Sequence, residues 1–268
     1  MFRIAVLCGH GINCDRETVH ALDRTIRDRQ ADGAAERVHT SDLVSGRERL
    51  SRYDMLVLPG GFLHGDDIAA VKILANTFGT ELATELDDFV ASDKLVLGIC
   101  NGFQVLAKIP LLPGRGSQDA TLVWNDTGRF EDRWVWLEPD RDSSLYLDGV
   151  DRLRLPIRHG EGKFLADDDV LDRLEEDGQV ALRYVREDGS PADGAYPYNP
   201  NGSLRDIAGI RNDTGRVLGI MPHPEAFHAP ANHPQWIEAE HGAGDAPDRG
   251  AGMQIFENAV DVLDSDFT

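Results

Sequence analysis

Between Leu95 and Gln104 the chain runs through an apolar stretch, a break at Gly98, Cys100, and a second glycine, Gly102, ahead of a helix-compatible pattern. A short, continuous apolar run marks a strand buried on both faces, so the segment reads as strand, sharp turn and helix. Gly98 and Gly102 remove side-chain bulk where the chain must reverse. A cysteine opening a helix meets unpaired backbone N–H groups that stabilise its thiolate. This is the layout of a nucleophile elbow, and it confines the chain to folds in which strands feed directly into helices.

Alternating apolar and amphipathic segments extend the pattern along the chain. Strands are expected at Ile4 to Leu7, Met55 to Leu58, Leu95 to Gly98, Val180 to Val185, Ile207 to Ile210 and Val217 to Met221. Helices are expected at Arg16 to Arg29, Asp67 to Asn76, Thr80 to Ser92, Gly102 to Lys108 and Gln254 to Leu263. Such alternation predicts an α/β fold, a doubly wound, mostly parallel sheet with helices on both faces. Ligands of such folds sit at the carboxyl ends of the strands, where the loops after Leu58, Gly98 and Met221 converge. Shorter strands at Leu122 to Trp124 and Trp134 to Leu137 extend or flank the sheet. No strong break divides the chain, which is read as one domain over residues 1–268. The Pro-, Ala-, Gly- and His-rich stretch from His228 to Gly252 reads as a surface excursion before the last helix.

A second polar constellation ends another apolar run, at Val217-Leu-Gly-Ile-Met-Pro-His-Pro-Glu225. Pro224 biases His223 toward an extended conformation, so His223 and Glu225, two apart, are expected on one face. With Cys100 they supply the parts of a nucleophilic relay: a thiol, an imidazole base and a carboxylate that fixes the imidazole tautomer. Cys14, in a strand-to-helix loop, is the rival thiol but lacks the downstream glycine, and Cys8 reads as an ordinary buried cysteine. Pro59-Gly60-Gly61-Phe62 follows a strand, and its paired glycines let backbone N–H groups approach a substrate. His228, His233 and His241 lack a Cys or repeated carboxylate spacing, so no metal site is expected from them. Asp167 to Asp169 reads as a helix start or a turn cluster rather than a cation site.

Net charge narrows the partners. With 27 basic against 47 acidic residues the formal charge is −20, a surface that disfavours nucleic acid and anionic membranes. Three cysteines do not make a disulfide framework, and a catalytic thiol suits a reducing compartment. The apolar run after Met1 is too short for a secretory signal, and no stretch approaches the roughly 18 apolar residues of a membrane span. The expected location is cytoplasmic.

These residues resemble class I (triad) glutamine amidotransferases, and within them the branch that serves as glutaminase subunit of phosphoribosylformylglycinamidine synthase. The resemblance covers nearly the whole chain. It is carried by Gly11-Ile-Asn-Cys-Asp15, Leu58-Pro-Gly-Gly-Phe62, Gly65-Asp66, Leu97-Gly-Ile-Cys-Asn-Gly-Phe-Gln104 and Leu111-Leu-Pro-Gly114. Further on come Pro156-Ile-Arg-His-Gly-Glu-Gly162, Asn201-Gly-Ser203, Asp206-Ile-Ala-Gly209 and Met221-Pro-His-Pro-Glu225. Two departures stand out: the run after Gly65-Asp66 lacks the family's Gly-Ala-Ile-Ala stretch, and the Ala120 to Arg152 and His228 to Gly252 regions look long.

The resemblance implies a flavodoxin-like fold and hydrolysis of L-glutamine to glutamate and ammonia by Cys100, His223 and Glu225. It implies substrate contacts from Gly60, Gly61, Phe62, Asn101, Gln104, His159, Gly160 and Glu161, with an oxyanion hole near Gly61 and Asn101. Ammonia would pass to a separate synthetase subunit acting on formylglycinamide ribonucleotide, with a small third subunit in some assemblies. No cofactor is expected in this chain; ATP and Mg²⁺ belong to the synthetase, and the chain carries no Gly-x-x-x-x-Gly-Lys-[Ser/Thr] loop. The competing readings are a glutaminase serving another synthetase, a flavodoxin-like cysteine hydrolase of another family, and a silent regulatory subunit. The intact triad speaks against the last.

Overall fold

A computed structural model describes residues 1–62, 71–114, 116–140, 144–237 and 249–266. Gly65, Asp66, the start of the expected helix at Asp67, and His241 lie outside them. Eleven strands are described: β1 (Phe2–Cys8), β2 (Gly33–His39), β3 (Met55–Leu58), β4 (Leu95–Ile99), β5 (Ala120–Val123), β6 (Glu131–Pro139), β7 (Leu153–His159), β8 (Lys163–Ala166), β9 (Val180–Val185), β10 (Ile207–Arg211) and β11 (Val217–Ile220). The helices are α1 (Asp15–Arg29), α2 (Thr40–Val44), α3 (Lys72–Glu81), α4 (Ala83–Ala91), α5 (Asn101–Lys108), α6 (Asp168–Glu176) and α7 (Met253–Asp266).

Nine strands form one sheet in the order β2-β1-β3-β4-β11-β10-β9-β6-β7. The first five pair in parallel, and the remaining four extend the sheet antiparallel. The sheet is therefore mixed, with the expected parallel half holding the elbow. β3, β4 and β11 are buried at every residue, which requires cover on both faces and explains their unbroken apolar sequences. α5 packs on β3, β4 and β11, while α1 packs on β1, β2 and α7. β5 and β8 form a separate antiparallel pair beside α5.

Elements with weak periodicity were not expected. β2, an edge strand, reads Gly-Ala-Ala-Glu-Arg-Val-His and buries only Val38; without an apolar face it has no pattern to find. α6 was not among the expected helices; it starts at the Asp167 to Asp169 cluster, which reads in sequence as a helix start or a turn, with Asp168 and Asp169 in its first turn and Val170, Leu171 and Leu174 buried. The helix expected over Thr80 to Ser92 is α4, but Thr80 and Glu81 belong to the end of α3, so the boundary between the two helices falls at Leu82 rather than before Thr80.

α5 sits unusually close to the sheet. A Cβ built on Gly102 would lie 1.9 Å from the Leu58 carbonyl oxygen, a contact with backbone that cannot rotate away. Gly102→Ala is therefore expected to destabilise by about 1–3 kcal/mol or more through overpacking. Gly79, exposed in α3 with open space about its Cα, provides the contrast: Gly79→Ala should stabilise by about 0.5–1 kcal/mol. Thermal melts of the two variants should move in opposite directions, and equal shifts would show that helix propensity rather than close approach governs Gly102.

Candidate active site

Cys100 caps α5 directly after β4, with φ 53° and ψ −107°. A non-glycine residue in this region costs on the order of 1–3 kcal/mol and persists only where its surroundings hold it. Here the Cys100 N–H donates to the Ile220 carbonyl at 2.8 Å and the Gln104 N–H donates to the Cys100 carbonyl at 3.1 Å. The first bond carries the parallel β4–β11 ladder one residue past the strand ends; the second opens α5. The elbow is thereby held from both sides.

β11 delivers His223 to the same place. Ile99 pairs with Ile220, so the two chains leave the sheet side by side. His223 has φ −106° and ψ 90°, outside the extended region, and Glu225 lies in a short 3-10 turn, Pro224–Phe227, with proline at its first position. The expected extended pair is thus a turn, and it still brings Nδ1 of His223 within 2.6 Å of Oε1 of Glu225. Both side chains are buried. Burial disfavours the imidazolium, yet the Glu225 carboxylate and then Cys100 outweigh it and hold the His223 pKa well above its ordinary value. Nδ1–H faces the carboxylate, so Nε2 is the free base nitrogen, buried without a hydrogen-bond partner.

Gly60 lies between base and thiol: a Cβ there would stand 2.6 Å from Cε1 of His223 and 3.3 Å from Cβ of Cys100. Any side chain would separate the two. The Phe62 N–H donates to the Gly11 carbonyl at 2.7 Å, and the Gly60 carbonyl accepts from Asn13 and Cys14 N–H at 3.4 and 3.3 Å. The loop is pinned from behind while Gly61 and Asn101, at the start of α5, line the cleft in front of Cys100.

That cleft is narrow and is bounded by Gly61, Phe62, Cys100, Asn101, Gln104, His159, Gly160 and Glu161, together with Phe130 and Arg158. All the sequence-expected contact residues except Gly60 line it. Asn101 Nδ2 donates to Gln104 Oε1 at 2.7 Å, and Gln104 Nε2 donates to the Glu161 carbonyl at 2.5 Å. Three buried acceptors, Asn101 Oδ1, His159 Nε2 and Glu161 Oε1, have no hydrogen-bond partner.

Asn125 was not expected from sequence. Its Nδ2 donates to the His159 carbonyl at 2.8 Å and the Arg129 carbonyl at 2.9 Å, and its Oδ1 accepts from the Gly162 N–H at 3.0 Å. Oδ1 also lies 3.1 Å from His159 Nδ1. An oxygen so oriented can only accept, so His159 carries its proton on Nδ1 and turns a lone pair outward at Nε2. Complete burial, with His223 nearby, pushes the His159 pKa down to about 3. In a Trp-Asn-Asp-Thr-Gly loop an asparagine reads only as a turn residue, so no sequence signal pointed to it. Phe130 was likewise missed; its ring stacks on Phe62 at 5.7 Å.

Other candidate groups fall elsewhere. The His233 ring packs at 4.9 Å on Trp134, and the His228 ring packs at 4.9 Å on His20. Cys8 is buried at the end of β1. Cys14 is brought to the relay, with Sγ 3.9 Å from His223 Nδ1, and burial pushes its thiol pKa up although His223 pulls the other way.

Comparison with known proteins followed the same line. Residues 1–262 match the CobB/CobQ-like glutamine amidotransferase domain. The chain is 37% identical to phosphoribosylformylglycinamidine synthase subunit PurQ of Methanococcus maripaludis, over 97% of each chain. It is 40% identical to the protein of that name from Dehalococcoides mccartyi, over 93% of each. Among solved structures, a chain of PurLQS from Thermotoga maritima superposes with a TM-score of 0.69 at 28% identity, covering 98% of this chain and 99% of that one.

A histidine neutral in the fold but protonated on unfolding contributes stability above its unfolded value of 6.5, and that stability is lost as pH falls toward about 3. Within that window unfolding free energy should fall by about 1.4 kcal/mol per pH unit from this group. Denaturant melts of His159→Gln should show a slope shallower by that amount; an unchanged slope would mean that His159 is protonated in the fold.

Proposed function

The chain belongs to the CobB/CobQ-like glutamine amidotransferase domain family, and on that premise we propose that it is the glutaminase subunit of a phosphoribosylformylglycinamidine synthase. The observation that carries the reading is a relay built at the carboxyl ends of adjacent parallel strands, with Cys100 beside His223 and His223 bonded to Glu225. Its substrate is L-glutamine.

His223 Nε2 takes the Cys100 thiol proton, and Sγ attacks the carboxamide carbon. The Gly61 and Asn101 N–H groups stabilise the oxyanion. The imidazolium, held by Glu225, protonates the departing ammonia, leaving a thioester. His223 then deprotonates a water, which releases glutamate and restores the thiol. Glutamine brings N–H donors at its ammonium and its amide. They suit the unpartnered acceptors Asn101 Oδ1, His159 Nε2 and Glu161 Oε1, and Arg158 is the cation lining the cleft for its carboxylate. A neutral His159 serves here as an acceptor, which an imidazolium could not.

Ammonia then passes to the synthetase subunit, which converts formylglycinamide ribonucleotide to formylglycinamidine ribonucleotide in purine biosynthesis. ATP and Mg²⁺ act on that subunit, with no cofactor in this chain. No described helix is long and apolar enough to cross a membrane, and a reactive thiol suits a cytoplasmic setting.

Glutamate release by the full chain, alone and mixed with the synthetase, tests the reading. Low basal turnover should rise with the purine synthetase. Cys100→Ala should lower kcat by about 10⁴-fold or more, and Glu225→Gln by about 10²–10⁴-fold, with little change in KM. Turnover by Cys100→Ala would sink the nucleophile, and stimulation only by another synthetase would sink the pathway.

A further inference from the structure

Cys14 stands beside the relay and takes no part in it. Its Sγ, an imidazole nitrogen of His223 and a carboxylate oxygen of Glu225 all lie within 4.8 Å of one another, in the only such group with metal-ligating potential among the described residues. Glu225 Oε2 is buried without a partner in a residue 1% exposed. Sulfur, imidazole nitrogen and carboxylate oxygen form the donor set of a borderline-soft divalent cation.

The spacing fits as well as the chemistry. With Zn–S at about 2.3 Å and Zn–N at about 2.0–2.1 Å, a tetrahedral centre separates sulfur and nitrogen by roughly 3.5 Å. Sγ and Nδ1 are 3.9 Å apart, so closing on the ion asks for a movement of a few tenths of an ångström. The 2.6 Å contact between Nδ1 and Oε1 has to open, and the unused Oε2 gives Glu225 a second oxygen to present. Cys14 is partly exposed whereas Cys100 is buried, so an ion reaches this group from the Cys14 side.

We propose that Cys14, His223 and Glu225 form an inhibitory site for a thiophilic divalent cation of the Zn²⁺ type. On binding, Cys14 gives its thiol proton to solvent and Sγ bonds the ion. Nδ1 exchanges its proton for the ion and Nε2 takes up a proton in its place, so the imidazole stays neutral in its other tautomer and one proton in all, that of Cys14, is released. Glu225 exchanges an N–H donor for the cation, and no electron is transferred. With Nε2 protonated, His223 cannot accept the Cys100 proton, and the relay stops. Binding stands on geometry alone; the inhibition rests on the glutaminase reading.

The test uses the full chain, with Zn²⁺ affinity read by competition with a chromogenic chelator and with Co²⁺ as spectroscopic probe. Cys100→Ala should keep both Zn²⁺ affinity and the thiolate-to-Co²⁺ charge-transfer band. Cys14→Ala should lose the band and weaken Zn²⁺ binding by about tenfold or more. In glutaminase assays with the synthetase, Cys14→Ala should keep basal turnover and resist Zn²⁺ by the same factor. A band that survives Cys14→Ala and vanishes in Cys100→Ala would place the ion on the nucleophile and overturn the proposal, as would no binding at micromolar Zn²⁺. Cys14-dependent binding in a chain without glutaminase activity would leave the site standing and overturn the functional reading instead.

Discussion

Parallel pairing of β4 with both β3 and β11 is the constraint on which the site depends. It puts three carboxyl ends in one row, and from that row come the Gly60–Gly61 loop, Cys100 and His223. None of these loops has to travel to find the others. The row also holds the backbone strain at Cys100: the Ile220 carbonyl takes the Cys100 N–H, so relaxing φ would break a ladder bond in the most buried part of the sheet. Close approach of α5, allowed because Gly102 has no side chain against Leu58, keeps the helix start under the thiol. The strained backbone and the fixed place of the thiol at Cys100 have the same cause.

The antiparallel half supplies the opposite wall. β7 is last in the sheet order, yet its Pro156 carbonyl accepts the His223 N–H at 2.8 Å, and its Arg158 carbonyl lies 3.7 Å from Cys100 Sγ. The sheet therefore coils until its far edge returns to the elbow, consistent with the handed twist of long sheets. β7 then runs on into His159, Gly160 and Glu161, which close the cleft.

Two buried imidazoles in this small volume are driven in opposite directions. Glu225 and Cys100 raise His223 against the effect of burial, while burial and His223 itself lower His159. Separated in this way, one ring can carry protons and the other stays a fixed acceptor. Asn125 decides which nitrogen of His159 faces outward, so a residue that never reaches the cleft sets the polarity of its wall.

The central strands, the elbow and the helices on them were legible because a strand buried on both faces must be apolar throughout, and a sharp turn beneath a packed helix must be glycine. The candidates Cys100, His223 and Glu225 stood out for a related reason: abrupt polar residues at the ends of apolar runs have few structural uses. β2 was not legible because an exposed edge strand needs no apolar face. Asn125 was not, because the partners that tie it to the site, His159 and Gly162, lie 34 and 37 residues away and a loop asparagine looks alike whatever it bonds. Nor was the place of Cys14, which the sequence set aside as a rival thiol. Local sequence by itself determined the central buried strands, where the chain turns sharply and which residues are candidates for chemistry, since periodicity and side-chain volume act over a few residues. Only tertiary structure decided which groups meet, which tautomer each histidine holds and that a second thiol stands beside the base, because these follow from the coiling of the sheet and from contacts between distant segments.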